Sequence, residues 1–166
     1  MVISIIKKLF KREEEVKVVK KTNVKIGRPA KQQIHPLSKV VTGVRVQNRL
    51  KKLGITTTDK LLRAGRTTSD RVKLAKSINV DKSELLGWLN LIDLYRISGI
   101  GKDYADILGM VGVSTVVDLS TRNPENLYEK ILELKKDKKF KKKIPSITLL
   151  KKWSDKAKTL ARVLEY

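Results

Sequence analysis

Gly99-Ile100-Gly101-Lys102 is the segment of this chain whose residue types and spacing can hold an anion. Glycines at 99 and 101 permit positive φ and a close approach by another backbone. A helix beginning near Lys102 turns its free N–H groups outward, and the lysine adds a mobile positive charge. Ile97, Ile100, Ile107 and Leu108 supply apolar contacts that fix a helical hairpin around the turn, and Ala105 leaves room where the second helix lies close to the first. The chemistry is phosphate capture.

The charge of the chain agrees. It carries 38 Lys plus Arg against 17 Asp plus Glu, a formal net of +21 on 166 residues, and so attracts polyanions. Lys outnumbers Arg, which favours point charges for phosphates over bidentate forks for base edges. The densest run holds Lys135, Lys136, Lys138, Lys139, Lys141, Lys142 and Lys143, whose mutual repulsion a bound phosphate backbone would relieve. Arg45 and Arg49 are further candidate contacts. Arg28 lies in Gly27-Arg28-Pro29, which resembles the core of an AT-hook with Ile26 in place of its first arginine, a departure that favours a solvated linker.

Enzyme signatures are missing, and no cofactor is expected. With no cysteine, thiol catalysis and Cys-based zinc sites are excluded. His35, the single histidine, has no second histidine to form a relay or a metal site and reads as a solvated loop residue before Pro36. No Gly-rich loop ends in Gly-Lys-Ser/Thr. Val2, Ile5, Ile6, Leu9 and Phe10 give the first twelve residues the pattern of a short amphipathic helix, too short to span a bilayer and without the order of charges of a secretory signal. No transmembrane segment is expected, and the expected location is cytoplasmic or nucleoid-associated.

Two regions must position these residues. Residues 1–36 read as a basic tail, because periodicity is lost from Glu13 to Pro36 and Gly27-Arg28-Pro29 breaks any helix. Residues 37–166 are regularly helical and contain an internal repeat at a spacing of 58: Gly43 falls under Gly101, Leu50 under Leu108, Gly54 under Gly112, Ile55 under Val113 and Leu61 under Leu119. Thr57 and Thr115 then precede short helices. The first copy has Val41 in place of Gly99 and Gln47 in place of Ala105, so the second turn is the preferred phosphate site. Trp88 and Trp153 recur with Leu at helical spacing and read as core. Asn123-Pro124 opens one late helix, and Pro145-Ser146 opens a last one with a stripe of Leu149, Leu150, Trp153, Ala157, Leu160 and Leu164.

The turn at 97–108 resembles the helix-hairpin-helix motif of sequence-independent DNA-binding proteins: hydrophobic, any residue, Gly, hydrophobic, Gly, then a small residue and a hydrophobic pair. Residues 41–166 as a whole resemble an uncharacterised tandem helix-hairpin-helix family described as a domain of unknown function. The matching features include Leu53-Gly54-Ile55 with Thr57, Leu61-Leu62-Arg63-Ala64-Gly65, Trp88 with Asn90, Arg96-Ile97 through Gly101, Tyr104-Ala105-Asp106, Arg122-Asn123-Pro124-Glu125-Asn126-Leu127, Trp153 and Glu165-Tyr166. The resemblance implies an all-α fold of two helix-hairpin-helix-like arms packed as one helical array behind a basic N-terminal tail. Through the hairpin motif it implies nucleic-acid binding, DNA in preference to RNA. Two alternatives stay open: a ribosome-associated RNA-binding protein, and an interaction adaptor for an acidic protein or membrane surface.

Overall fold

The structure, a computed structural model, describes residues 34–166. The expectations for residues 1–33, including the amphipathic start and Arg28, fall outside the described residues. The fold is all-α. A 3-10 turn at Leu37–Lys39 leads into α1 (Val44–Lys52), α2 (Thr58–Ala64), α3 (Thr68–Ile78) and α4 (Lys82–Leu94). A second set follows as α5 (Lys102–Met110), α6 (Val116–Thr121), α7 (Pro124–Leu134) and α8 (Ile147–Lys158).

The 58-residue spacing survives in three dimensions and extends to whole helices. α5 begins and ends 58 residues after α1, and α6 begins 58 residues after α2. Both α1 and α5 end in the same device. Gly54 and Gly112 adopt φ of 79° and 80°, and the amides of Ile55 and Val113 reach back 2.9 Å to the carbonyls of Leu50 and Leu108. This six-to-one bond satisfies a carbonyl that the helix end would otherwise leave open. In each half the fourth helix packs on the second and third: α4 on α2 and α3, α8 on α6 and α7. Leu50, Ile55, Leu61, Leu108, Val113 and Leu119, the repeat-related apolar residues, are all fully buried in one continuous core.

Six of the eight described helices start on a side-chain cap. Thr57, Thr67, Asp81, Thr115, Asn123 and Ser146 each accept a backbone N–H from the first turn of their helix, a contact usually worth about 1 kcal/mol. The two exceptions are repeat partners: α1 starts at Gly43 and α5 at Gly101, with no side-chain cap on either.

Buried ionic contacts join the parts. Asp93, at the end of α4, accepts from the amide of Val116 (2.8 Å) and from Arg96 Nη1 (2.6 Å), fixing α6 against α4. Arg71 is buried and donates to the carbonyls of Gly65, Arg66 and Glu165 and to Thr68 Oγ1. The Glu165 amide in turn donates to the Arg66 carbonyl at 3.0 Å. These bonds correct the reading of the last helix, which stops at Lys158 and not near Leu164. Arg96 and Arg71 draw the carbonyls of Ala161 and Glu165 away from a helical ladder, and Leu164 is buried from an extended strap. His35 is likewise half-buried where a solvated loop residue was expected: its carbonyl accepts from the Thr58 amide at 3.0 Å, and its ring meets Tyr95 edge-on. Among the described residues, no helix is long and apolar enough to cross a membrane.

Candidate anion-binding site

Helix α4 ends at Leu94: the Tyr95 amide still bonds the Leu91 carbonyl as in a helix, and the amides of Arg96 and Ile97 then tighten onto the carbonyls of Asp93 and Leu94. The chain then reverses through Gly99, whose φ of 92° is the left-handed conformation that glycine takes without strain. Gly101 differs. Its φ of −101° and ψ of −172° suit any residue, and a Cβ placed there would meet nothing within 4 Å. The expectation of positive φ therefore holds at Gly99 and fails at Gly101, where nothing in the fold requires glycine. Ile100, also expected at the site, turns its side chain inward. Its side chain is 2% exposed and belongs to the core that holds the turn in place.

The turn opens onto a cavity of about 330 Å³ lined by Gly99, Gly101, Lys102, Asp103, Tyr104 and Lys143. Two separate stretches of the sequence thus meet: the glycine turn and the end of the lysine run. Leading into the run, α7 ends in a turn in which Asp137 accepts from the Lys139 amide at 2.9 Å. Phe140 and Ile144 then pack onto the core on either side of the remaining lysines. Lys142 points inward and donates to Asp106 Oδ2, with Asp103 Oδ1 at 3.9 Å. Lys102 also reaches Asp106 Oδ2, at 3.4 Å, while staying exposed. Lys135, Lys136, Lys138, Lys139, Lys141 and Lys143 are exposed.

Asp103 and Asp106 are the site residues that sequence reasoning missed. Partial burial pushes the Asp106 carboxyl up, but the hydrogen bond from Lys142 and the charge of Lys102 outweigh it and hold the group below the usual carboxylate range. Tyr95, buried behind α5, is pushed up to about 12 by that burial and by the charges of Asp106 and Asp103. A helical i, i+4 spacing from Lys102 was the available signal for Asp106. Nothing in the sequence signalled its contact with Lys142.

The first turn is less suited to the role expected of its arginines. Arg49 donates to the Ile78 carbonyl at 2.8 Å and closes the end of α3. Gln47, at the place of Ala105, donates to the carbonyl of Val41. Arg45 is exposed on α1. The other described arginines are engaged within the fold: Arg63 with Asp59, Arg66 with Glu165, Arg71 and Arg96 as above, Arg122 with the Gly112 carbonyl and Arg162 with the Leu164 carbonyl. Arginine mostly fastens this molecule, and lysine supplies most of its accessible charge. No group of three or more His, Asp or Glu side chains that could hold a metal ion occurs among the described residues.

Comparison with curated proteins and with solved structures gave no match. A family model does match, over residues 41–160, which takes in both helical sets, the glycine turn and the lysine run. The chain belongs to the family described as a domain of unknown function, DUF4332.

Proposed function

We propose that this protein binds the phosphate backbone of duplex DNA without reading its sequence, and that it does so as a binding protein and not as an enzyme. The observation that carries the reading is the meeting of the Gly99–Gly101 turn and the lysine run around one cavity. The first N–H groups of α5, whose residues Lys102, Asp103 and Tyr104 line the cavity, have no capping side chain, so an anion can complete the helix end and be favoured by its dipole. Lys102 and Lys143 flank that position. Gly101 agrees with the same reading, because the missing side chain leaves open space in which an outside group can approach the start of α5.

Duplex is favoured over single strands by the aromatic residues. Trp153 and Tyr95 are buried, and Trp88, Tyr104, Tyr128 and Phe140 pack against the core. Tyr104 lines the cavity half-buried, its ring held edge-on to Trp153, and the exposed Tyr166 is held by Arg71, Arg162 and Asn90, so among the described residues no row of exposed rings of the kind single strands stack on accompanies the lysines. The hairpin resemblance favours DNA over RNA. An accessible surface built mostly from lysine suits phosphates more than base edges.

The test is a fluorescence-anisotropy titration of labelled duplexes of unrelated sequence over a range of salt. If about 5 to 8 phosphates are neutralised, the slope of log K against log salt is about −4.5 to −7 for every sequence. Lys102→Glu should weaken binding about tenfold more than Lys82→Glu, since Lys82 lies at the far end of α4, about 18 Å of helix from the turn. Equal losses from the two reversals would show that net charge alone attracts DNA, and a slope near −1 would remove the proposal.

A further inference from the structure

Seven lysines crowd the stretch 135–143, and one of them behaves differently from the rest. Lys142 is 29% exposed at its side chain and faces a carboxylate, while Lys141 and Lys143 on either side of it face solvent. The carboxylate is Asp106, on α5 and 36 residues earlier in the chain. One oxygen, Oδ2, receives both Lys142 from the lysine loop and Lys102 from the first turn of α5. We propose that Asp106 is a positioning residue for polyanion binding: it clamps the lysine loop to α5 through Lys142, and so sets Lys143 and Lys102 on the same cavity. This inference rests on the reading of that cavity as a site for duplex backbone.

Two effects of opposite sign act at Asp106. A carboxylate beside a phosphate site repels the ligand, and removing it raises the net charge of the protein by one, so simple electrostatics makes loss of Asp106 favourable for binding DNA. Positioning opposes this. Lysine side chains carry large rotamer entropy, and a loop held in place beforehand spends less free energy on ordering when the ligand arrives. Without Asp106, Lys142 keeps only Asp103 at 3.9 Å as a tie to α5, the packing of Phe140 and Ile144 carries most of the loop's attachment, and Lys143 is held less firmly on the cavity wall. If positioning is the larger effect, an added positive charge weakens the binding of an anion.

Asp106→Asn tests this against Asp155→Asn, which removes a carboxylate that is 75% exposed on α8 and so changes the net charge equally. The probe is a 20-base-pair duplex of mixed sequence, titrated at several salt concentrations with the full chain. Expected are an affinity equal to or above wild type for Asp155→Asn and about three- to tenfold below it for Asp106→Asn. The salt slope of Asp106→Asn should also be shallower by about 0.9 for each phosphate that is no longer neutralised. Asp106→Glu, which keeps the charge, should recover affinity relative to Asp106→Asn. Binding by Asp106→Asn as tight as by Asp155→Asn, or tighter, overturns the inference and leaves the proposed function standing. Failure of the wild-type chain to bind the duplex at low salt overturns the proposed function itself.

Should Asp106→Asn not fold by circular dichroism, Lys142→Met carries the same comparison against Lys82→Met. A larger loss at 142 than at 82 then supports the clamp, because Lys142 is already occupied by Asp106, and equal losses overturn it.

Discussion

Gly99 and Trp153 are packed so closely that a Cβ on the glycine would lie 3.3 Å from the indole Nε1. The turn of the candidate site therefore rests on the last helix, and its shape depends on a residue 54 positions later in the chain. Tyr104, from the first turn of α5, meets the same indole edge-on with ring centroids 5.1 Å apart. Trp153 thus supports both sides of the cavity without lining it.

Two glycines with nearly the same requirement separate backbone strain from this contact. Gly112 has φ of 80° and open space where a Cβ would go, whereas Gly99 has φ of 92° and the indole. Gly112→Ala should cost about 1–2 kcal/mol, the left-handed penalty alone. Gly99→Ala should cost about 1 kcal/mol more, for displacing a packed ring. Urea denaturation of the two variants measures the difference, and equal costs would mean that Trp153 gives way freely.

The same helix holds two buried polar atoms without a partner, Trp153 Nε1 and Ser154 Oγ. A buried hydroxyl without a hydrogen bond costs about 1–3 kcal/mol. Ser154→Ala removes that cost and a single oxygen, so it should leave stability unchanged or raise it by about 1 kcal/mol. A loss of more than about 1 kcal/mol on denaturation would show that the hydroxyl is satisfied in solution.

The repeat was legible in the sequence because helix ends are written locally. Gly54 and Gly112 at positive φ, Thr57 and Thr115 as caps, and Leu50 and Leu108 in the core each follow from residue type and spacing. The glycine turn and the lysine run were legible as separate features for the same reason. Their meeting was not, because it depends on Lys142 finding Asp106 across 36 residues, and charge patterning along a chain does not specify pairs that far apart. Leu164 reads as helical because its spacing continues the stripe from Leu160. The contacts that decide otherwise, Arg71 and Arg96 to carbonyls in 161–165, are tertiary.

Asp93 is another of these tertiary joints. It is 3% exposed and shared between the Val116 amide and Arg96. Asp93→Ala leaves the half-buried Arg96 guanidinium without its carboxylate and an uncapped amide at the start of α6, and should cost about 2–4 kcal/mol. Arg96→Met, which leaves the carboxylate its bond to Val116, should cost less. A double-mutant cycle on the pair should show a coupling of about 1–3 kcal/mol, and strict additivity would mean that the two act independently.

His35 makes the stability of the folded part depend on pH in one direction. Burial, followed by the charge of Lys39 at 3.3 Å from Nδ1, holds its imidazole below the ordinary 6.5. The unfolded chain consequently binds a proton more readily than the folded one, so stability is complete above that ordinary value and is lost as pH falls through it toward the folded one. His35 and Pro36 are bonded to Thr58 and Thr57, so protonation loosens the attachment of the first described residues to α2. Thermal melting of wild type and His35→Gln at pH 7.5 and 5.5 tests this, with the wild type losing more on acidification than the variant. The carboxylates contribute to both proteins alike, and Asp106, held below the usual range, stays ionised throughout the interval. Equal losses would show that His35 titrates the same way folded and unfolded, and that its contact with Tyr95 does not shield it from water.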